Sequence, residues 1–147
     1  LYHRSLALRQ GIKDQEGVAE NLYDLGLIHN DLGRTDAALQ SYDDALAHLA
    51  RYVGGGSSLA VEIEVSRGRL FRLRGQTDTA RTSFRKALAM AEEVHGPQRP
   101  ATLTIRRLLV SILVDHEQYR EAQKQIAPLY ALTVQSLGPT HRETGLA

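Results

Sequence analysis

Residues 22–45, LYDLGLIHNDLGRTDAALQSYDDA, and residues 64–87, EVSRGRLFRLRGQTDTARTSFRKA, decide how this chain folds. Laid over one another at a shift of 42, they pair Gly26 with Gly68, Gly33 with Gly75, Thr35-Asp36 with Thr77-Asp78, Ala38 with Ala80, and Ala45 with Ala87. Tyr42 meets Phe84 in the same register. Over the whole period eleven of 42 positions are identical, where unrelated sequences of ordinary composition share roughly three. An internal repeat is the physical reading, and repeats of this length are supersecondary units that stack.

Outward from these two copies the register continues without a gap. Toward the C-terminus, Ile105 answers Ile63, Ala122 answers Ala80, and Gly138-Pro139 with Thr144 answers Gly96-Pro97 with Thr102. Toward the N-terminus, Ser5-Leu6-Ala7-Leu8 resembles Ala45-Leu46-Ala47 at a shift of 40. The division expected is a second helix of a preceding repeat plus linker at 1–18, repeats at 19–60 and 61–102, a divergent repeat at 103–144, and the start of a following helix at 140–147. Both ends then fall inside a unit, which predicts a piece of a longer, multidomain protein.

Each copy carries two apolar stripes at helical spacing. Val18, Leu22, Leu25 and Leu32 form the first, and Ala38, Tyr42, Ala45, Leu46 and Leu49 the second. Two antiparallel helices per repeat follow. Gly33 and Gly75 stand where a left-handed C-cap wants glycine, and Thr35 and Thr77 are placed to cap the helix after it. Longer connectors separate the pairs: Gly54 to Ser58 is glycine-rich, Gly96 to Pro100 puts a proline at a helix start, and Thr140-His141-Arg142-Glu143 reads as a capping box. Pro128 lies inside the last helix and predicts a kink or a loss of hydrogen bonding near Lys124, hence a distorted third pair.

The order Leu22, Leu25-Gly26, His29, Gly33, Ala38, Tyr42, Ala45 resembles the signature of the tetratricopeptide repeat. The second copy keeps Gly68, Phe71, Gly75, Ala80, Phe84 and Ala87, but has Glu64 and Arg67 in place of the large apolar pair. The third keeps Leu109 and Ala122, with Val110 in the glycine place, Ile126 in the aromatic place and Leu129 where the others have Ala. The period of 42 exceeds the commonest tetratricopeptide period of about 34, and it is similar to the longer variant of kinesin light chains and bacterial signalling proteins. The resemblance implies an all-α right-handed solenoid whose first helices line a concave surface. Gly26, Ala38, Tyr42, Ala45, Gly68, Ala80, Phe84, Ala87 and Ala122 would pack the repeat. Peptide-binding relatives often carry Asn before the Leu-Gly pair, and here Asp24, Ser66 and Leu108 stand in those places.

Composition fits a helical scaffold and excludes other classes. The 147 residues are 42% apolar and only 5% aromatic, enough for a continuous interior built from good helix formers. No cysteine is present, which removes disulfides and thiolate chemistry. No apolar run is long enough to span a bilayer, and His3, Arg4 and Arg9 interrupt any signal-like start. A net charge of +1 with no interleaved aromatics argues against nucleic acid. The charge is uneven, however: residues 1–60 hold five Lys/Arg against eight Asp/Glu, and the rest thirteen against nine.

No catalytic, cofactor or metal constellation is recognisable. Asp115, His116 and Glu117 are neighbours in sequence and diverge around a helix, the geometry of a solvated helix end. Gly54-Gly55-Gly56 lacks the Gly-Lys and the strand of a phosphate loop. His29, in the family's tyrosine place, reads as a packed histidine with one nitrogen hydrogen-bonded. The candidate site is the arginine run VSRGRLFRLRG: Arg69 and Arg72 share a helix face, and Arg107 falls at the place of Val65 on the next unit. Family geometry turns all three inward, toward a carboxylate or acidic peptide, with Tyr23, Leu27 and Asn30 beside them; ordinary solvated arginines are the competing reading. The sequence therefore predicts a cytoplasmic protein- or peptide-binding scaffold, and its Arg and Ala content a bacterial source. The alternatives are a regulatory arm of a bacterial signalling enzyme or transcription regulator, and a homo-oligomer formed through open solenoid ends.

Overall fold

The structure, a computed structural model, describes residues 2–54 and 56–137; the expected capping box and following helix at 140–147 lie outside the described residues. Within them the chain is helical throughout, in the order α1 (Tyr2–Asp31), α2 (Thr35–Tyr52), α3 (Ser58–Leu73), α4 (Thr77–Val94), α5 (Pro100–Asp115) and α6 (Tyr119–Leu137). Three hairpins, α1–α2, α3–α4 and α5–α6, stack in series through α2–α3 and α4–α5 contacts. The all-α tandem-repeat class is what the periodicity predicts.

The same turn closes all three hairpins. Gly33 N–H donates to the Asn30 carbonyl (2.9 Å) and Arg34 N–H to the His29 carbonyl (2.8 Å), the paired bonds of a Schellman cap. Gly75 and Gln76 repeat the pattern on Arg72 and Phe71, and Glu117 and Gln118 on Val114 and Leu113. The residue at the bend has φ +72° at Gly33, +76° at Gly75 and +58° at Glu117. Glycine adopts that conformation without a steric penalty, whereas a glutamate does so under strain. Thr35 and Thr77, expected as caps, instead open α2 and α4 as first helical residues. The cap positions are Arg34 and Gln76, which make no side-chain cap bond. Asp36 and Asp78 in the first turns face the positive helix ends instead. Ser57 does cap α3, its hydroxyl accepting from Ala60 N–H at 3.0 Å, and Pro100 opens α5.

Close crossing fixes each hairpin's interior. A Cβ placed on Gly26 would lie 2.5 Å from Tyr42 Cε1, and one on Gly68 would lie 2.7 Å from Phe84 Cε1. Tyr42 and Phe84 are fully buried, as are Ala38, Ala45, Ala80 and Ala87. Ala60, Ile63 and Leu70 of α3 join the core of the first hairpin, while Val61 joins that of the second together with Ile105, Leu109 and Ile112 of α5. A shared helix of this kind is what makes stacking obligatory, because one hairpin cannot cover its own apolar faces.

Two expectations change. The linker expected before residue 19 is absent: α1 runs unbroken from Tyr2 to Asp31. Residues 11–17 contain no proline, and Gln10 bonds Asp14 one turn on at 3.1 Å, so the helix continues past both glycines. The first apolar stripe is also misplaced. Val18, Leu25 and Leu32 are exposed, and the buried residues of α1 are Ala19 and Gly26. Their equivalents on α3 explain why: Arg67 and Arg74 face the preceding α2 through Asp43 and Asp36, and no described hairpin precedes α1. Pro128 has no N–H to give the Lys124 carbonyl, and α6 is helical on both sides of it, to Leu137.

Where the second copy loses its large apolar pair, charges replace it. Glu64 is fully buried, 3.3 Å from Arg67 Nη1 and 3.9 Å from Lys86 Nζ. Arg67 Nε reaches Asp43 Oδ1 at 2.7 Å, and its guanidinium lies over the Phe71 ring at 5.0 Å. Forty-two residues on from Glu64, Arg106 is buried against Glu92 and donates to Gln125 Oε1 at 2.7 Å.

Candidate functional site: a trough along α3

The faces of α1, α3 and α5 left free by hairpin packing meet in two joined depressions. The larger, about 440 Å³, is lined by Tyr23 from α1, by Ser58, Glu62, Val65, Ser66 and Arg69 along α3, and by Ala101, Thr104 and Ile105 of α5. The smaller, about 220 Å³, is lined by Leu27 and Asn30 of α1 and by Ser66, Arg69, Leu70 and Leu73 of α3. Ser66 and Arg69 belong to both. Together the depressions form a trough that crosses from the first turns of α5 to the last turns of α1, with α3 as its floor.

Four of the six expected groove residues are brought together here: Tyr23, Leu27, Asn30 and Arg69. Tyr23 is held by two contacts. Its hydroxyl shares a 2.8 Å hydrogen bond with Ser66 Oγ, and its ring lies tilted against Tyr42 with centroids 5.7 Å apart. Burial, assisted by the nearby Tyr23 and Asp31, raises the Tyr42 phenol above the ordinary tyrosine value. Ser66, in the place where peptide-binding relatives have Asn, spends its hydroxyl on Tyr23.

The other two do not join. Arg72 is turned to α5, donating to Asp115 Oδ2 at 2.5 Å and Ser111 Oγ at 3.0 Å. It ties two hairpins together. Arg107 is exposed on α5 and lines neither depression, so the three guanidiniums do not converge. Arg67 and Arg74 are likewise paired, with Asp43 and Asp36 of α2. Of the four arginines in the run, Arg69 alone has no hydrogen-bond or ion-pair partner among the described residues.

The sequence reading missed Glu62, Thr104 and His95, and it placed Val65 on the inner face only as the counterpart of Arg107. Glu62 could have been found, since it sits seven residues before Arg69 and so on the same face. His95, bonded to Ser58 Oγ at 3.4 Å, comes from the α4–α5 connector, whose path no helical periodicity predicts. His29 is half-buried, and its Nδ1 has no hydrogen-bond partner among the described residues. Asp115, His116 and Glu117 divide as the helix geometry requires: Asp115 pairs with Arg72 and Glu117 forms the turn. Among the described residues no group of three or more His, Asp or Glu is placed to hold a metal ion, and no helix is long and apolar enough to cross a membrane.

Family models described as tetratricopeptide repeat match residues 59–127 and residues 19–47. No curated protein matches the sequence. Among solved structures, BtubC (BKLC) from P. vanneervenii superposes with a TM-score of 0.70 at 19% identity, over 78% of this chain and 45% of that one. A Podosopora anserina protein assigned as a kinesin light chain, with nearly identical TPR-like repeats, superposes with a TM-score of 0.66 at 15% identity, over 83% of this chain and 59% of that one. A single-residue variant of the same protein gives 0.67 at 15% identity, over 84% and 59%. The chain thus spans about half the length of these structures. At such identities the likeness is one of fold.

Proposed function

Because this chain belongs to the tetratricopeptide-repeat family, whose members are in general protein–protein interaction scaffolds, we propose that it holds a peptide segment of a partner protein in the trough along α3. The observation that carries the reading is Arg69. Every other arginine of the run is neutralised by a carboxylate of a neighbouring hairpin, whereas this one stands unpaired on the floor of the trough, beside the apolar surface of Leu27 and Val65 and the amide of Asn30. An exposed guanidinium with five donors and no acceptor suits a carboxylate. The partner is accordingly an acidic peptide, presented to a module of a larger, multidomain cytoplasmic protein. The test is capture of fluorescent acidic peptides by the wild-type chain and by Arg69→Glu, which should lose binding while keeping its helical circular dichroism. Equal affinity of the two proteins would discard the trough.

A second reading, self-association, is favoured by the exposed stripe Val18, Leu25 and Leu32 on α1. These residues occupy the places through which α3 receives the preceding hairpin, and here they are apolar and uncovered. Sedimentation of the wild type and of Leu25→Arg, which copies Arg67, decides it. A monomer at all concentrations rules this reading out.

A further inference from the structure

We infer that the trough is dipolar and selects a peptide carrying one acidic and one basic side chain three residues apart, the acid bound at Arg69 and the base at Glu62. This deepens the peptide-binding reading and rests on it. Glu62 and Arg69 both line the larger depression and both are exposed. Among the described residues neither has an ion-pair or hydrogen-bond partner. On α3 itself Arg67, Arg72 and Arg74 are all engaged with carboxylates, so Arg69 and Glu62 are the charges that this helix leaves to the trough.

Seven residues of α3 separate the two groups, so they point the same way about 10.5 Å apart along the axis. That is about one Debye length at 0.1 M salt, and the two charges do little for one another through water. Each is available to a ligand. Between them the floor is Val65 and Ser66, with the Ser66 hydroxyl already bonded to Tyr23. The middle of the ligand therefore meets no free charge.

The form of the ligand follows from the spacing of the two charges along α3, about 10.5 Å. An extended segment fits. In the polyproline II conformation residues i and i+3 fall on one side, about 9.3 Å apart, which matches the separation of the two charges. An acid and a base at that spacing satisfy both ends of the trough at once. A peptide with the acid alone leaves Glu62 facing whatever follows.

The test is selection of a degenerate peptide library on the immobilised full chain, with the bound peptides sequenced. Enrichment of acid–base pairs at a spacing of three, about tenfold over peptides with the acid alone, is the expected result. The double variant Glu62→Lys/Arg69→Glu should select the same spacing with the order of the charges reversed. Enrichment of an acid with no base at a fixed distance overturns this inference and leaves the peptide-binding trough standing. Absence of any charge enrichment on the wild-type chain overturns both.

Discussion

Replacing Gly68 by alanine puts the packing argument to its most direct test. In an uncrowded helix the change stabilises by about 1 kcal/mol, because glycine gives up more backbone freedom than alanine on folding. At Gly68 the new methyl group would sit 2.7 and 2.8 Å from two ring carbons of Phe84 and 3.2 Å from Ser83 Cβ. Phe84 is fully buried between α3 and its own helix, so the ring must retreat by several tenths of an ångström into an already filled core. Overpacking of that kind costs about 1–3 kcal/mol. After the propensity gain is subtracted, the net loss is about 0–2 kcal/mol, or up to roughly 8 °C in melting temperature for a chain of this size. Gly17→Ala is the control, since a Cβ there meets nothing within 4 Å, and it should raise the melting temperature by a few degrees. Thermal melts of the two variants beside wild type, followed by circular dichroism, give the answer. If Gly68→Ala melts as high as Gly17→Ala, the close crossing does not govern the hairpin and the structural role given to both signature glycines is wrong.

Four other outcomes follow from the same structure. Glu117→Gly should stabilise the third hairpin by about 1 kcal/mol, since the left-handed conformation at φ +58° strains a glutamate but not a glycine; urea denaturation measures it. Glu64→Leu, which restores the residue found at position 22, should cost little or stabilise, whereas Arg67→Met, which strips a partner from the buried carboxylate, should cost about 3 kcal/mol. Ser57→Ala removes the cap bond to Ala60 and should cost about 1 kcal/mol. Tyr42 has a folded-state pKa above its unfolded value. Its contribution to stability is therefore complete below the unfolded tyrosine pKa and is lost as pH rises through the folded one, so Tyr42→Phe should flatten the alkaline limb of a stability–pH curve.

Much of the fold was legible because its determinants are local. Gly33 and Gly75 mark the turns by their need for positive φ, and Gly26 and Gly68 mark the crossings by what their missing side chains admit. The third hairpin was harder to read since it solves both problems with other residues. Glu117 takes the bend, and Val110 and Ile126 stand in the places of the glycine and the aromatic ring, Ile126 being exposed where Tyr42 and Phe84 are buried. The stripe on α1 was misassigned for a different reason: periodicity shows that Val18, Leu25 and Leu32 share a face, but not whether anything lies against it. The arginine run shows the same limit. Sequence spacing places Arg69 and Arg72 on one face, yet only the partner across the joint, Asp115, distinguishes a guanidinium that ties hairpins from one left over for a ligand.

The distribution of charge has a mechanical corollary. Inside the first two hairpins the crossings are built of buried rings, alanines and glycines, which ions in solution do not reach. Across the joints, Arg74 to Asp36, Arg72 to Asp115 and Arg85 to Glu121 are paired at partly exposed positions, where salt weakens the attraction. Ionic strength therefore acts on this outer seam of the joints, while the apolar cores that neighbouring hairpins share beneath it are spared.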